Sequence, residues 1–128
     1  MLQRKDIVHA ELAYRINGLL FNVFKSLGFG YQEKYYQRAV AEALSRADIK
    51  FSEQVYVLLT YLGKPIGRYF LDFLIEDLIV LEIKKGSYFE KQNIEQVLGY
   101  LKSKNLQLGL IANFTKNGVR VKRIVNLK

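Results

Sequence analysis

The chain has 128 residues, a length that fits one domain with a single core and leaves little room for two. Half of the residues are apolar, and 20 Lys and Arg stand against 12 Asp and Glu for a formal charge of +8. The absence of cysteine excludes a disulfide framework and a thiolate zinc site. The one histidine, His9, with no G-x-S-x-G motif beside it, leaves no basis for a Ser-His-Asp or Cys-His centre.

The first helix is predicted over Asp6 to Leu27, where Leu12, Ile16, Leu19, Leu20, Val23 and Leu27 recur at helical spacing. The segment GFG, Gly28 to Gly30, ends it. A second helix is predicted from Gln32 to Ala47, with Tyr36, Val40, Ala43, Leu44 and Ala47 as its buried stripe. QVYVLLTYL, Gln54 to Leu62, is dense in β-branched and aromatic residues and predicts a strand. GKPIG, Gly63 to Gly67, is expected as a turn.

Strands follow over Arg68 to Ile75 and Leu78 to Lys85, then a third helix over Lys91 to Lys104 with Ile94, Val97, Leu98 and Leu101 inward. A strand from Leu106 to Phe114, an Asn117-Gly118 turn and a last strand from Val119 to Asn126 complete the order α-α-β-β-β-α-β-β. The three strands before the third helix should form an antiparallel meander. Strands apolar on both faces imply helices packed on each side, hence an α/β sandwich.

No apolar run approaches the roughly 20 residues that span a bilayer, and MLQRKDIVHAEL lacks the apolar core of a secretion signal, so a cytoplasmic protein is expected. Neither a G-x-x-x-x-G-K-[ST] loop nor a G-x-G-x-x-G turn after a strand is present. The basic excess is largest at the C-terminal end, where Lys116, Arg120, Lys122, Arg123 and Lys128 have no acidic residue among them. Such a balance suits a polyanion, most often nucleic acid, although it also serves solubility alone. Carboxylate and lysine chemistry is what remains for catalysis.

The run DFLIEDLIVLEIKK places Asp72 on one predicted strand and Glu82 and Lys84 on the next. A two-residue loop, Glu76-Asp77, would turn Glu82 away from Asp72; a three-residue loop, Glu76-Asp77-Leu78, would set the two opposite each other. The sequence leaves both registers open. In the second, the paired carboxylates would either share a proton or bind a cation, and Mg²⁺ suits two carboxylates completed by water and phosphate oxygens. Lys84 could then orient a water or neutralise charge growing on a phosphate. In the plainer alternative Glu82 and Lys84 form a strand-end ion pair contributing at most ~1 kcal/mol. Glu33 falls on the sheet-facing stripe of the second helix, a costly place for an unpaired acid, although its first-turn position also complements the helix dipole. Gln96 and Tyr100 share one face of the third helix.

GYQEKYY, Gly30 to Tyr36, matches G-x-x-E-x-x-Y, and the chain resembles the GxxExxY proteins, a branch of the PD-(D/E)XK nuclease superfamily. YFLDFLIE with Asp72, VLEIK with Glu82 and Lys84, and QVLGYL with Gln96 and Tyr100 follow in the family's order, as do the closing strands around Asn113 and Arg123 to Asn126. The resemblance covers about Ile16 to Leu127 and implies a restriction-endonuclease-like three-layer sandwich with a central mixed sheet flanked by helices. It further implies a Mg²⁺-dependent nuclease (Mn²⁺ as substitute) in which Asp72 and Glu82 bind the ion. Lys84 assists the chemistry, Glu33 is an additional acid near the metal, and Gln96 borders the site. Lys116, Arg120, Lys122 and Arg123 are expected to contact DNA phosphates, in a homodimer that embraces the substrate. Phe24 stands where many relatives carry a histidine.

Overall fold

The computed structural model describes residues 8–127. Helix α1 spans Ala10–Leu27 and buries Ala13, Ile16, Leu20 and Val23 along one stripe. Its predicted onset at Asp6 lies outside the described residues, and Val8 and His9 form a turn ahead of the helix, with His9 in the left-handed region at φ 49°. The Gly28 N–H donates to the Phe24 carbonyl at 2.7 Å and closes α1. Helix α2, Glu33–Arg46, buries Tyr36, Val40 and Leu44. The Tyr36 ring stacks on Phe114 with centroids 4.2 Å apart, and its hydroxyl donates to the Gly28 carbonyl at 2.5 Å. Tyr36 is therefore a packing residue that fixes the start of α2, and with it Glu33, against the end of α1.

The strands are β1 Phe51–Tyr61, β2 Lys64–Ile75, β3 Ile79–Lys85, β4 Leu108–Thr115 and β5 Gly118–Val125, with α3, Lys91–Lys104, between β3 and β4. They form one mixed five-stranded sheet in sequential order. β1, β2 and β3 are the expected antiparallel meander; α3 then returns the chain so that β4 lies parallel to β3, and β5 closes antiparallel. Helices α1 and α2 cover one face, over Phe73, Ile75, Ile79, Leu81, Ile83, Leu110, Ala112 and Phe114. Helix α3 covers the other through Val97 and Leu101 on Val80 and Ile111. Gly109 permits that approach, since a Cβ there would collide with the Val97 side chain.

Two expectations change. The GKPIG segment is mostly strand: β2 begins at Lys64, and the turn is Leu62–Gly63, both at positive φ (51° and 78°), which glycine adopts at no steric cost. Helices also fail to cover the whole sheet. β2, with 12 residues at about 3.4 Å each, reaches roughly 40 Å, whereas a 14-residue helix is about 21 Å long. The outer halves of β1 and β2 overhang the sandwich, leaving Tyr56, Leu58, Leu59, Tyr61, Ile66 and Phe70 exposed.

The change from covered to bare strand is marked by an irregularity. Gln54 takes a left-handed φ of 51° and drops out of the ladder, which pairs Glu53 with Phe73 and Val55 with Leu71 but leaves Asp72 unpaired. Across it the packing changes sides, Phe73 joining the α1/α2 core and Leu71 the α3 core.

Candidate active site

Ile75 pairs with Ile79, Leu74 with Val80 and Phe73 with Leu81, so the β2–β3 loop has three residues and the register is the one that sets Asp72 opposite Glu82. The turn differs from the type I form common in such loops. Glu76 and Asp77 both take left-handed φ values (53° and 55°), and the Leu78 N–H donates to the Ile75 carbonyl at 2.9 Å, leaving Leu78 as the extra residue.

Beyond Phe73 and Leu81 the β2–β3 ladder stops, and side chains take its place. The Asp72 N–H donates to Glu82 Oε2 at 2.6 Å, and the Ile83 N–H donates to Asp72 Oδ2 at 2.7 Å. Each carboxylate thus satisfies a main-chain donor on the opposite strand, with Asp72 and Glu82 only 8% and 6% exposed. Asp72 is free to do so because β1 has also released it, at Gln54.

Further groups converge from α2 and β3. Gln37 Nε2 donates to Asp72 Oδ1 at 3.1 Å. Glu33 Oε2 accepts the Lys85 N–H at 3.1 Å, so the acid on the sheet-facing stripe has a main-chain partner. Lys84 Nζ lies 3.8 Å from Glu82 Oε1. Burial, followed by the charge of Asp72, pushes the Glu82 carboxyl up to about 7, although Lys84 and the Asp72 N–H pull it down. Asp72 is raised as well, chiefly by burial, with Glu33 adding to the effect and Lys84 opposing it. These two acids are short of positive charge, which is the electrostatic state a divalent cation relieves.

The donor chemistry fits such an ion. Among the described residues no group of three or more His, Cys, Asp or Glu side chains forms a ready cage. Two carboxylates are nevertheless what Mg²⁺ takes from a protein when water and phosphate oxygens complete its shell. Glu33 acts on both acids through its charge.

Gln96 is half-buried on α3, and its main-chain carbonyl, not its side chain, accepts the Tyr69 hydroxyl at 3.3 Å. Burial, followed by the charge of Glu82, pushes the Tyr69 hydroxyl up, so this tyrosine lies within electrostatic reach of the acidic pair. Sequence reasoning missed Gln37, and it quoted Tyr69 and Asn113 only as part of the family resemblance, without a role. Gln37 was signalled by its four-residue spacing from Glu33 on α2. Asn113 is the β4 register partner of Lys84; fully buried, it donates through Nδ2 to the Tyr88 carbonyl at 2.6 Å while its Oδ1 has no partner. Its place within the mostly apolar run LGLIANF was the residue-level signal for a role.

The basic residues divide. Arg120 and Lys122 are exposed on β5, with their charges over the Phe89 ring at 5.4 and 5.9 Å, and Lys116 is exposed in the β4–β5 turn. Arg123 is half-buried, and its Nη2 donates to the Val8 carbonyl at 3.1 Å, tying down the segment before α1. Phe24 packs against Phe114 with ring centroids 6.3 Å apart.

Comparison with known proteins agrees with this geometry. A family model for the PD-(D/E)XK nuclease superfamily matches residues 10–124. The crystal structure of SSO0001 is similar with a TM-score of 0.53 at 15% identity, over 96% of this chain and 58% of that one. At that identity the likeness is one of fold, and the chain spans less than two thirds of that structure's length. No curated protein matches the chain. With the match running from the first residue of α1 almost to the end of β5, across the mixed sheet and its Asp and Glu-x-Lys strands, the chain belongs to the PD-(D/E)XK nuclease superfamily and has its restriction-endonuclease-like fold.

Proposed function

We propose that this chain is a Mg²⁺-dependent nuclease that hydrolyses DNA phosphodiester bonds, a member of the GxxExxY branch working as one nuclease-like domain in the cytoplasm. The supporting observation is the reciprocal bonding of Asp72 and Glu82, which holds two proton-hungry carboxylates side by side with Lys84 within 3.8 Å. Asp72 and Glu82 would hold the ion, which when bound supplies a water of lowered pKa and neutralises phosphate charge.

The chain's own groups do the rest. The main-chain N–H groups of Asp72 and Ile83 fix one oxygen of each acid, and Gln37 orients the second oxygen of Asp72. Lys84 places a positive charge where the phosphate gains negative charge, and Glu33 keeps the local field negative enough to favour a cation. Gln96 and Tyr69 border the site from the α3 side. Lys116, Arg120 and Lys122 contact phosphates on one face, while Arg123 contributes through its anchoring of Val8. A homodimer embraces the DNA.

A second function, nucleic-acid binding without cleavage, is favoured by one observation: Phe24, at the position where relatives often carry His, is an apolar packing residue against Phe114. Incubation with single-stranded, duplex and branched DNA and RNA, with Mg²⁺ or Mn²⁺, separates the two. Cleavage should fall by about 10²–10³-fold in Asp72→Ala and Lys84→Ala. Tight binding without cleavage by the unaltered protein selects the second function. Neither binding nor cleavage at low salt would leave a partner-binding module.

A further inference from the structure

Seven of the fourteen exposed large hydrophobic side chains among the described residues lie on the overhanging β1–β2 arm. Tyr56, Leu58, Leu59, Tyr61, Leu62, Ile66 and Phe70 are each roughly half exposed or more, Leu62 reaching 83%. They lie on both faces of the hairpin, so a single helix could not cover them. β1 is also the outer strand of the sheet, with β2 as its sole strand neighbour among the described residues. Edge strands in soluble proteins are normally short, charged or interrupted by proline, because their free N–H and C=O groups recruit other strands. β1 has 11 residues, no proline and a single charge, Glu53; from Gln54 to Gly63 there is no charged residue at all.

We propose that β1 is the interface between two copies of this chain, pairing antiparallel with β1 of the second copy across a two-fold axis to make one continuous ten-stranded sheet. The homodimer belongs to the function proposed above, and this inference rests on it by naming the surface. Three features select a second copy as the occupant. An antiparallel edge is complementary to itself, so a two-fold operation can pair the open backbone groups of the regular stretch Val55 to Leu59, between the irregularities at Gln54 and at Leu59/Thr60. Two chains of charge +8 repel each other, but here they meet along ten uncharged residues. The four exposed side chains of β1 itself, Tyr56, Leu58, Leu59 and Tyr61, would flank the new ladder on both faces, where they meet cross-strand neighbours from the second copy. β1 itself offers a polyanion no cation between Gln54 and Gly63, the arm's cations being Lys64 and Arg68 on β2.

The test uses the unaltered protein without metal or nucleic acid, so cleavage does not enter it. Sedimentation velocity over a range of concentrations should show a species of twice 14.9 kDa, and hydrogen exchange should slow at the outward amides of β1 as concentration rises. Leu59→Lys and Tyr61→Lys should weaken association at least 100-fold, while Tyr14→Lys, exposed on α1, should leave it unchanged. A monomer at every concentration overturns both dimer and surface. A dimer that survives both arm substitutions, with β1 amides exchanging freely, overturns the surface and keeps the dimer. Aggregates of indefinite size overturn the two-fold pairing. Should a substituted chain misfold, exchange on the unaltered protein decides alone.

Discussion

β2 is two different strands joined at Asp72. From Phe73 to Ile75 it lies inside the sandwich, with Phe73 and Ile75 fully buried between the helices and β3. From Lys64 to Phe70 it pairs only with β1, and most of its side chains face solvent. The acidic pair sits where the two halves meet, at a residue that neither neighbouring strand pairs; Ile66, at the register shift beside Leu59 and Thr60, is the other such β2 residue. A carboxylate in the covered half would be stranded in apolar packing, and in the bare half it would be an ordinary surface charge. At the junction it is buried enough to hold a raised pKa and close enough to solvent to meet a substrate.

The contrast can be broken most forcefully by truncating one side chain in each half. Phe73→Ala should cost about 3–5 kcal/mol, because it empties a filled site next to Phe51. Leu59→Ala in protein dilute enough to be monomeric should stay within about 0.5 kcal/mol of the parent. Urea unfolding of both variants is the measurement, and equal losses would show that something in the monomer packs on the arm.

A comparable or smaller effect, on the order of 3 kcal/mol, concerns the junction itself. Glu82 is raised from 4.5 to about 7 in the folded, metal-free chain. Between those values the folded state keeps a proton that the unfolded state has lost. The contribution is therefore fully present below about 4.5 and disappears as pH rises through 7. Thermal melts in a chelator should lose stability across that window, and Glu82→Gln should flatten the loss by supplying a neutral acceptor for the Asp72 N–H. Mg²⁺ added at pH 8 should restore stability to the unaltered chain and not to Glu82→Gln. An unaltered slope in Glu82→Gln would remove Glu82 as its source.

The smallest effect sharpens the boundary from the helix side. Gln37→Ala removes one hydrogen bond to Asp72, and calorimetric titration with Mn²⁺ should show affinity reduced by roughly five-fold, about 1 kcal/mol. Unchanged affinity would make Gln37 a bystander.

Much of this was legible in the sequence because it rests on periodicity. The helical stripes of α1, α2 and α3 and the strand order follow from which residues must be buried. The acidic strands also stood out, since charges ending an aliphatic run are costly without a partner. Other features depended on lengths and backbone angles that periodicity does not carry. QVYVLLTYL looks like a buried strand, and nothing local says that the neighbouring helices stop short of it. Gln54 is an unremarkable letter whose left-handed φ releases Asp72. The two-residue and three-residue loops were equal on sequence, and the choice came from two left-handed residues, Glu76 and Asp77, that are not glycine or asparagine. Arg123 shared its charge with Arg120 and Lys122, but strand alternation sends it to the other face, towards Val8.

The donors that position the two carboxylates are the N–H groups of Asp72 and Ile83, both main-chain atoms. Substitutions at Phe73, Leu81 or Ile83 can change volume or packing, but nearly all leave those donors in place. A site anchored this way tolerates drift in the side chains around it and needs few fixed letters to persist. Among the twenty residue types only proline lacks the N–H, so at position 83 only proline would delete an anchor outright.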